Sequence, residues 1–103
     1  MKIRITRTSI TYIHTILLEK DKVFSDGIET EYNPDRFAFK VCNLVSDWPD
    51  KLEEQNVTDG LKYEIKIKKG KEIKKYEFIN KFPDDIDKLE EIINGVIEAE
   101  INV

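Results

Sequence analysis

Alternating apolar and polar residues predict a β-hairpin in the second half of the chain. Between residues 61 and 67 every second position is apolar and the positions between them are charged, which is the period of a strand with one solvated face. A Lys-Gly pair at 69–70 is expected to form a turn, and a second strand follows it. Asp59-Gly60 marks the start of this hairpin.

The pattern leaves two pairing registers open for the hairpin. We favour a two-residue loop at 69–70, which pairs Leu61 with Phe78 and places Ile73 on the opposite face of the sheet. A looser turn with Gly70 in the left-handed region would instead pair Ile65 with Ile73, and this register needs a bulge.

Helical spacing predicts a first amphipathic helix after Asn33-Pro34. An asparagine can cap the free amides of a helix, and proline is tolerated at the first helical position. Pro49 ends this helix because the residue before a proline is disfavoured in the helical region. The apolar stripe consists of Phe37, Val41, Leu44, Val45 and Trp48.

A second amphipathic helix is predicted after Phe82. This ring is expected to pack against Ile86 across the helix start, and the aspartates at 84, 85 and 87 are expected to face the positive helix end. Gly95 costs about 1 kcal/mol relative to alanine inside a helix, so either the packing is close there or the helix frays late. The apolar stripe consists of Ile86, Leu89, Ile93, Val96 and Ile97.

Three strands are predicted before the first helix, as a meander. Lys2–Arg7 alternates like a half-buried strand, whereas the segment from Ile10 to Leu18 is apolar on both faces and indicates a central strand. A tight turn at Lys20-Asp21 leads to a third strand at Val23-Phe24, which is expected to end near 26–27. Residues 50–58 are polar and predict a loop.

These elements predict one α+β domain over residues 1–103. The order β-β-β-α-β-β-α closes most simply as two layers, a mainly antiparallel sheet of about five strands with both helices on one face. A single cysteine and an N-terminus without an apolar core favour a cytoplasmic protein, with no membrane segment. The predicted core includes Phe37, Leu44, Trp48, Tyr63, Ile65, Leu89 and Ile93.

Candidate catalytic and metal-binding residues are few. His14 is predicted mid-strand and Cys42 beside an apolar helix stripe, so both are interpreted as structural; replacing either by alanine is expected to retain any activity. The acidic group around the second helix start lacks a glycine-containing calcium loop or a phosphate cradle. We therefore expect no metal and no cofactor, and interpret as capping and solvated residues Asp84, Asp85, Asp87, Glu90 and Glu91.

The charge distribution is the strongest indication of a partner. Residues 61–81 contain eight lysines and three glutamates, a net charge of +5, although the whole chain carries −4. Lys66, Lys68 and Lys74 are expected to share a polar face, or nearly so. Three interpretations remain: edge protection, an acidic protein partner, or a nucleic acid. The candidate binding lysines are Lys66, Lys68, Lys69, Lys71 and Lys74.

A second candidate surface is the sheet face away from the helices. Ile13 and Leu17 need cover, and Ile73 and Ile79 are candidates to join them. The parity of Ile13 and Leu17 is opposite to that of Tyr12, His14, Ile16 and Leu18. A partner protein, a homodimer through this face, or a loop would each provide that cover.

The sequence favours a non-enzymatic protein-binding module, of the inhibitor or immunity type, that blocks a protein target. The alternative is contact with an anion or nucleic acid through the lysine-rich hairpin at 62–75. A small enzyme that uses His14 or the acidic helix start is the third hypothesis.

Overall fold

The structure, a computed structural model, describes residues 1–55 and 60–100 as a seven-stranded mixed sheet with two helices on one face. This confirms the predicted α+β class, with two short strands more than the five expected. The elements are β1 (Lys2–Thr8), β2 (Ile13–Glu19), β3 (Lys22–Ser25), β4 (Ile28–Glu29), α1 (Pro34–Val45), β5 (Lys51–Glu53), β6 (Lys62–Lys69), β7 (Glu72–Ile79) and α2 (Ile86–Glu98).

The strand order places the first strand of the chain in the middle of the sheet. It runs β4-β3-β2-β1-β6-β7-β5, so the predicted meander pairs with the hairpin through β1 and β6. The β5–β7 pair is parallel and the other strand pairs are antiparallel. Because β6 is central, the hairpin is not an edge hairpin, and lysine as edge protection can apply only to β7.

Two short strands account for the difference from the predicted count. The loop predicted at 50–58 contains β5, in which Leu52 lies opposite Phe78. A three-residue strand is too short to show alternation in the sequence, which explains why it was missed. Residues 56–59, which include Asp59 of the predicted turn, lie outside the described part of the chain.

The two turns around β3 have the backbone that tight hairpins need. Lys20 and Asp21 have φ angles of 53° and 59°, as in a type I′ turn, which confirms the predicted turn. Asp26 and Gly27 repeat this geometry with φ angles of 48° and 82°, and β4 returns along β3.

Both predicted registers of the β6–β7 hairpin are wrong. Tyr63 pairs with Phe78 and Ile65 with Tyr76, so the two-residue loop is 70–71 and not 69–70. Gly70 has a φ of 61°, which suits the first central position of a type II′ turn, where glycine is favoured. The glycine therefore sets the loop one residue later than predicted.

The start of α1 follows the prediction. The Asn33 side chain accepts a hydrogen bond from the Arg36 N–H at 3.0 Å, and Pro34 is the first helical residue. The helix ends at Val45, before Trp48, and the Trp48 N–H donates to the Val45 carbonyl at 3.0 Å.

The start of α2 follows the prediction in part, since Asp87 lies in the first turn of the helix. Asp85 occupies the capping position, but its side chain makes no cap hydrogen bond. Its carboxylate instead accepts a hydrogen bond from the Trp48 indole N–H at 2.8 Å. Trp48 also packs edge-on against Phe78, with ring centroids 5.5 Å apart, so this carboxylate fixes an aromatic of the core.

The core lies between the sheet and the helices, and the predicted core residues are buried except Leu44, which is half-buried. Gly95 allows close packing, because a Cβ there would lie 3.2 Å from Tyr32 Cε2. The most deeply buried large side chains include Phe37, Phe78, Ile3, Ile5, Ile16, Ile65, Leu89 and Ile93.

Candidate functional site

The sheet face opposite the helices is here called the open face. Only some of the predicted binding lysines lie on it. Lys66 and Lys68 lie on it because they alternate with the buried Ile65 and Ile67. Lys74 lies opposite Ile67, so it projects on the helix side and does not share the face of Lys66 and Lys68 as expected. Lys69 also has helix-side parity, and Lys71 lies in the turn.

Residues that the sequence reasoning did not select join Lys66 and Lys68 on the open face. Arg4 of β1 lies directly opposite Lys66, and Lys75 of β7 lies opposite Lys66 on its other side. These four side chains, Arg4, Lys66, Lys68 and Lys75, are here called the basic patch. Adjacent strands are about 4.8 Å apart, so its three strands span about 10 Å.

The patch places like charges directly opposite one another. Arg4 faces Lys66, Lys66 faces Lys75, and Lys2 faces Lys68 across the sheet. Of these, only Lys2 has an ion pair in the described part of the chain, with Glu19 at 3.3 Å. Directly opposed like charges destabilise a sheet, so folding alone does not favour this arrangement.

The nearest carboxylates on the open face are engaged elsewhere. Lys62 lies 3.1 Å from Glu64 and 3.8 Å from Glu77, which form the row beside Arg4 and Lys66. The hydrogen bond with Glu64 is the main reason that the pKa of Lys62 is raised; partial desolvation opposes this, and the two carboxylate charges add to it. Lys62 contacts both carboxylates and balances one of their two negative charges, while Arg4, Lys66, Lys68 and Lys75 have no ion pair in the described part of the chain.

A first prediction concerns the energetic cost of the patch. Lys66→Gln is expected to raise the free energy of unfolding by a few tenths of a kcal/mol at low salt, because removing this one charge relieves its repulsion with both Arg4 and Lys75. Denaturant unfolding at low and at high salt measures this gain, which should shrink as salt screens the charges.

The matched control is Lys22→Gln on the same face. Lys22 lies opposite Glu19 and 2.7 Å from Glu29, so its removal loses attraction and should not stabilise. If both variants changed stability equally and in the same direction, repulsion within the patch would not be the cause.

The apolar residues of the open face do not form one surface. Leu17 is half-buried between Arg4 and Phe24, in the row that continues into the basic patch. Ile13 is 67% exposed at the far end of β2, beside Thr8. Of the two predicted binding residues, Leu17 therefore adjoins the patch and Ile13 does not.

His14 and Cys42 are not brought together. His14 Nε2 lies 3.0 Å from Ser25 Oγ and 3.5 Å from Asp26 Oδ2, and within residues 1–55 and 60–100 its buried Nδ1 has no hydrogen-bond partner. In a catalytic triad the serine and the aspartate contact opposite ring nitrogens of the histidine, whereas Ser25 and Asp26 both lie beside Nε2, and Ser25 is 0% exposed. Cys42 is half-buried on α1.

Other classes of site find no support in residues 1–55 and 60–100. No group of three or more His, Cys, Asp or Glu side chains there could hold a metal ion. Across the same residues, no helix is long and apolar enough to cross a membrane.

The sequence contains only part of the information that places Arg4 in the basic patch. The alternation of Lys2 and Arg4 with Ile3 and Ile5 already indicates that both cations lie on one face. Their position beside the hairpin depends on the pairing of β1 with β6, which joins segments some 60 residues apart. No local signal specifies this pairing.

Comparison with protein-family models, with curated proteins and with solved structures finds no significant match for this chain.

Proposed function

We propose that this protein is a non-enzymatic binding module whose open face binds an acidic region of a protein partner. The observation that carries the proposal is the position of Arg4, Lys66 and Lys75 directly opposite one another on a sheet face that neither helix covers. Such an arrangement costs stability in the free protein, and an anionic partner would remove that cost.

The surroundings of the patch support a protein partner. Leu17 and Phe24 continue the row of Arg4 and supply half-buried apolar surface next to the charges. Protein interfaces combine an apolar contact with complementary charge in this way. A small module that covers such a region of a target would block it, which is the inhibitor or immunity type of function, and a single cysteine suits the reducing cytoplasm.

The test is selection from a random-peptide display library with matched variants. The patch variant carries Arg4→Gln, Lys66→Gln, Lys68→Gln and Lys75→Gln. The control variant carries Arg36→Gln, Lys20→Gln, Lys81→Gln and Lys88→Gln at exposed positions elsewhere, so both lose one arginine and three lysines.

The wild type and the control variant are expected to enrich peptides rich in aspartate and glutamate. The patch variant should bind those peptides with an association rate at least about tenfold lower at low salt, because surface charges act mainly on the on-rate. Equal rates for the patch and control variants would show that total charge, and not the patch, governs binding.

A nucleic acid is the second candidate, favoured by the arginine and the aromatic Phe24 in one row of the open face. Binding of a single-stranded oligonucleotide should then weaken steeply with salt, with a slope set by the number of neutralised phosphates. Oligonucleotide binding that is tighter than peptide binding and lost in the patch variant would favour this candidate.

A further inference from the structure

On the side away from β6, half of β7 has no neighbouring strand in the described part of the chain. β5 pairs only with residues 77–79, and residues 72–75 are all exposed. Before β5 the chain turns toward the helices, where Trp48 packs against Phe78. We call residues 72–75 the free edge.

The hydrogen-bond pattern shows which backbone groups the free edge presents. The Glu77 N–H donates to the Asp50 carbonyl at 2.9 Å, and the Ile79 carbonyl accepts from the Glu54 N–H at 2.9 Å. The backbone N–H and C=O groups of odd-numbered residues of β7 therefore point toward the β5 side. The Asn80 N–H donates to the Leu61 carbonyl at 3.0 Å, so even-numbered residues face β6. The backbone N–H and C=O groups of Ile73 and Lys75 therefore point away from β6, at the edge of the sheet.

We propose that the free edge accepts an extended acidic segment of the partner protein as an added strand. The inference rests on the proposed function and deepens it, because Lys75 belongs both to the free edge and to the basic patch. Main-chain hydrogen bonds to Ile73 and Lys75 would supply affinity, and alternate side chains of the segment would supply specificity.

The surroundings of the free edge on the open face and on the helix side determine which side chains the added strand would carry. On the open face, acidic side chains would lie over Lys75 and reach Lys66. On the helix side, the next side chains would enter a cleft of about 280 Å³ between β7 and the end of α1. Its lining combines the less polar Cys42, Val45 and Tyr76 with the charged Lys69, Glu72 and Lys74. An apolar side chain at these alternate positions would contact the first group, so the segment we propose alternates acidic and apolar residues.

A second copy of the chain is a poor occupant. Two copies paired through this edge would bring its lysines against their own equivalents, with only Glu72 of opposite charge on the free edge. The surrounding lysines are Lys68, Lys69, Lys71, Lys74 and Lys75.

The test uses a capped peptide of alternating glutamate and valine, about eight residues long. Amide hydrogen exchange by NMR is followed in the intact protein with and without the peptide. Saturation should slow exchange at the Ile73 and Lys75 amides at least about tenfold, because each gains a hydrogen bond. A peptide of alternating lysine and valine is the control for charge and should leave both amides unchanged.

Two variants distinguish the contribution of the Lys75 backbone N–H from that of the Lys75 side-chain charge. Lys75→Gln removes the charge and keeps the N–H, whereas Lys75→Pro removes both and leaves the β6 hydrogen bonds intact, since this N–H faces outward. Lys75→Pro should bind the peptide at least about tenfold more weakly than Lys75→Gln; circular dichroism and unfolding confirm that each variant folds.

The outcomes distinguish this inference from the proposed function. If the peptide binds through the basic patch but the Ile73 and Lys75 amides exchange unchanged, strand addition is wrong and the proposed function stands. If the patch variant binds the peptide as well as the control variant does, the proposed function fails. If an unstructured oligonucleotide competes fully for the site, the partner class is wrong, and concentration-dependent dimerisation through the edge would identify a second copy as occupant.

Discussion

Leu89→Ala is expected to lower the free energy of unfolding by about 2–5 kcal/mol, the usual range for truncating a fully buried leucine. Leu89 lies on α2, is 0% exposed and belongs to the same buried cluster as Phe37 and Phe78. The loss combines the transfer of apolar atoms to water with the cavity that rigid neighbours leave behind. Urea unfolding followed by the fluorescence of Trp48 measures it.

Leu44→Ala is the matched control, since it removes the same atoms from α1. Leu44 is half-buried at the margin of the core, where solvent can fill the space that truncation leaves. Its loss should be about 1 kcal/mol. Equal effects of the two substitutions would show that α2 does not pack on the sheet as described.

Elements with strong local signals were predictable from the sequence. The Asn33 cap and the Lys20-Asp21 turn depend on contacts within three residues, and both were predicted correctly. Alternation likewise assigned Ile65 to the core and Ile73 to the opposite face. Here the local preference and the final fold agree.

Features that depend on which residues of two strands lie opposite one another were not predictable. The hairpin register depended on whether Gly70 begins or ends the loop, and the alternation fits both choices. The basic patch required knowing that Arg4 lies beside Lys66, which the chain order does not state. Lys74 was assigned to the wrong face for a different reason, because it shares the parity of the apolar Tyr76 and Phe78 in β7 and this alternation was not applied to it.

A half-buried polar cluster was also missed, because Arg7 and Glu90 look like ordinary surface residues in the sequence. Glu90 was expected on a solvated acidic face, but its carboxylate accepts hydrogen bonds from the Arg7 guanidinium and the Tyr63 hydroxyl. The Arg7 guanidinium also lies 5.4 Å from the centre of the Tyr12 ring. This cluster connects β1, β6 and α2 at one end of the core.

Glu90→Ala is therefore expected to lower the free energy of unfolding by about 2 kcal/mol. The Arg7 side chain is only 15% exposed, and its Nε has no hydrogen-bond partner among the described residues, so removing the carboxylate leaves a cation largely buried without its anion. The Glu90 side chain is 30% exposed, so the expected loss lies below that of a fully buried pair.

Two further variants of α2 assign this loss to the cluster. Glu91→Ala changes the neighbouring, exposed glutamate in the same helix and should stay within about 0.5 kcal/mol of the wild type. Glu90→Gln keeps an acceptor for Tyr63 but loses the charge, so its stability should fall between those of the wild type and Glu90→Ala. Equal unfolding free energies for Glu90→Ala and Glu91→Ala would mean that Glu90 is a solvated surface residue, as its sequence context first indicated.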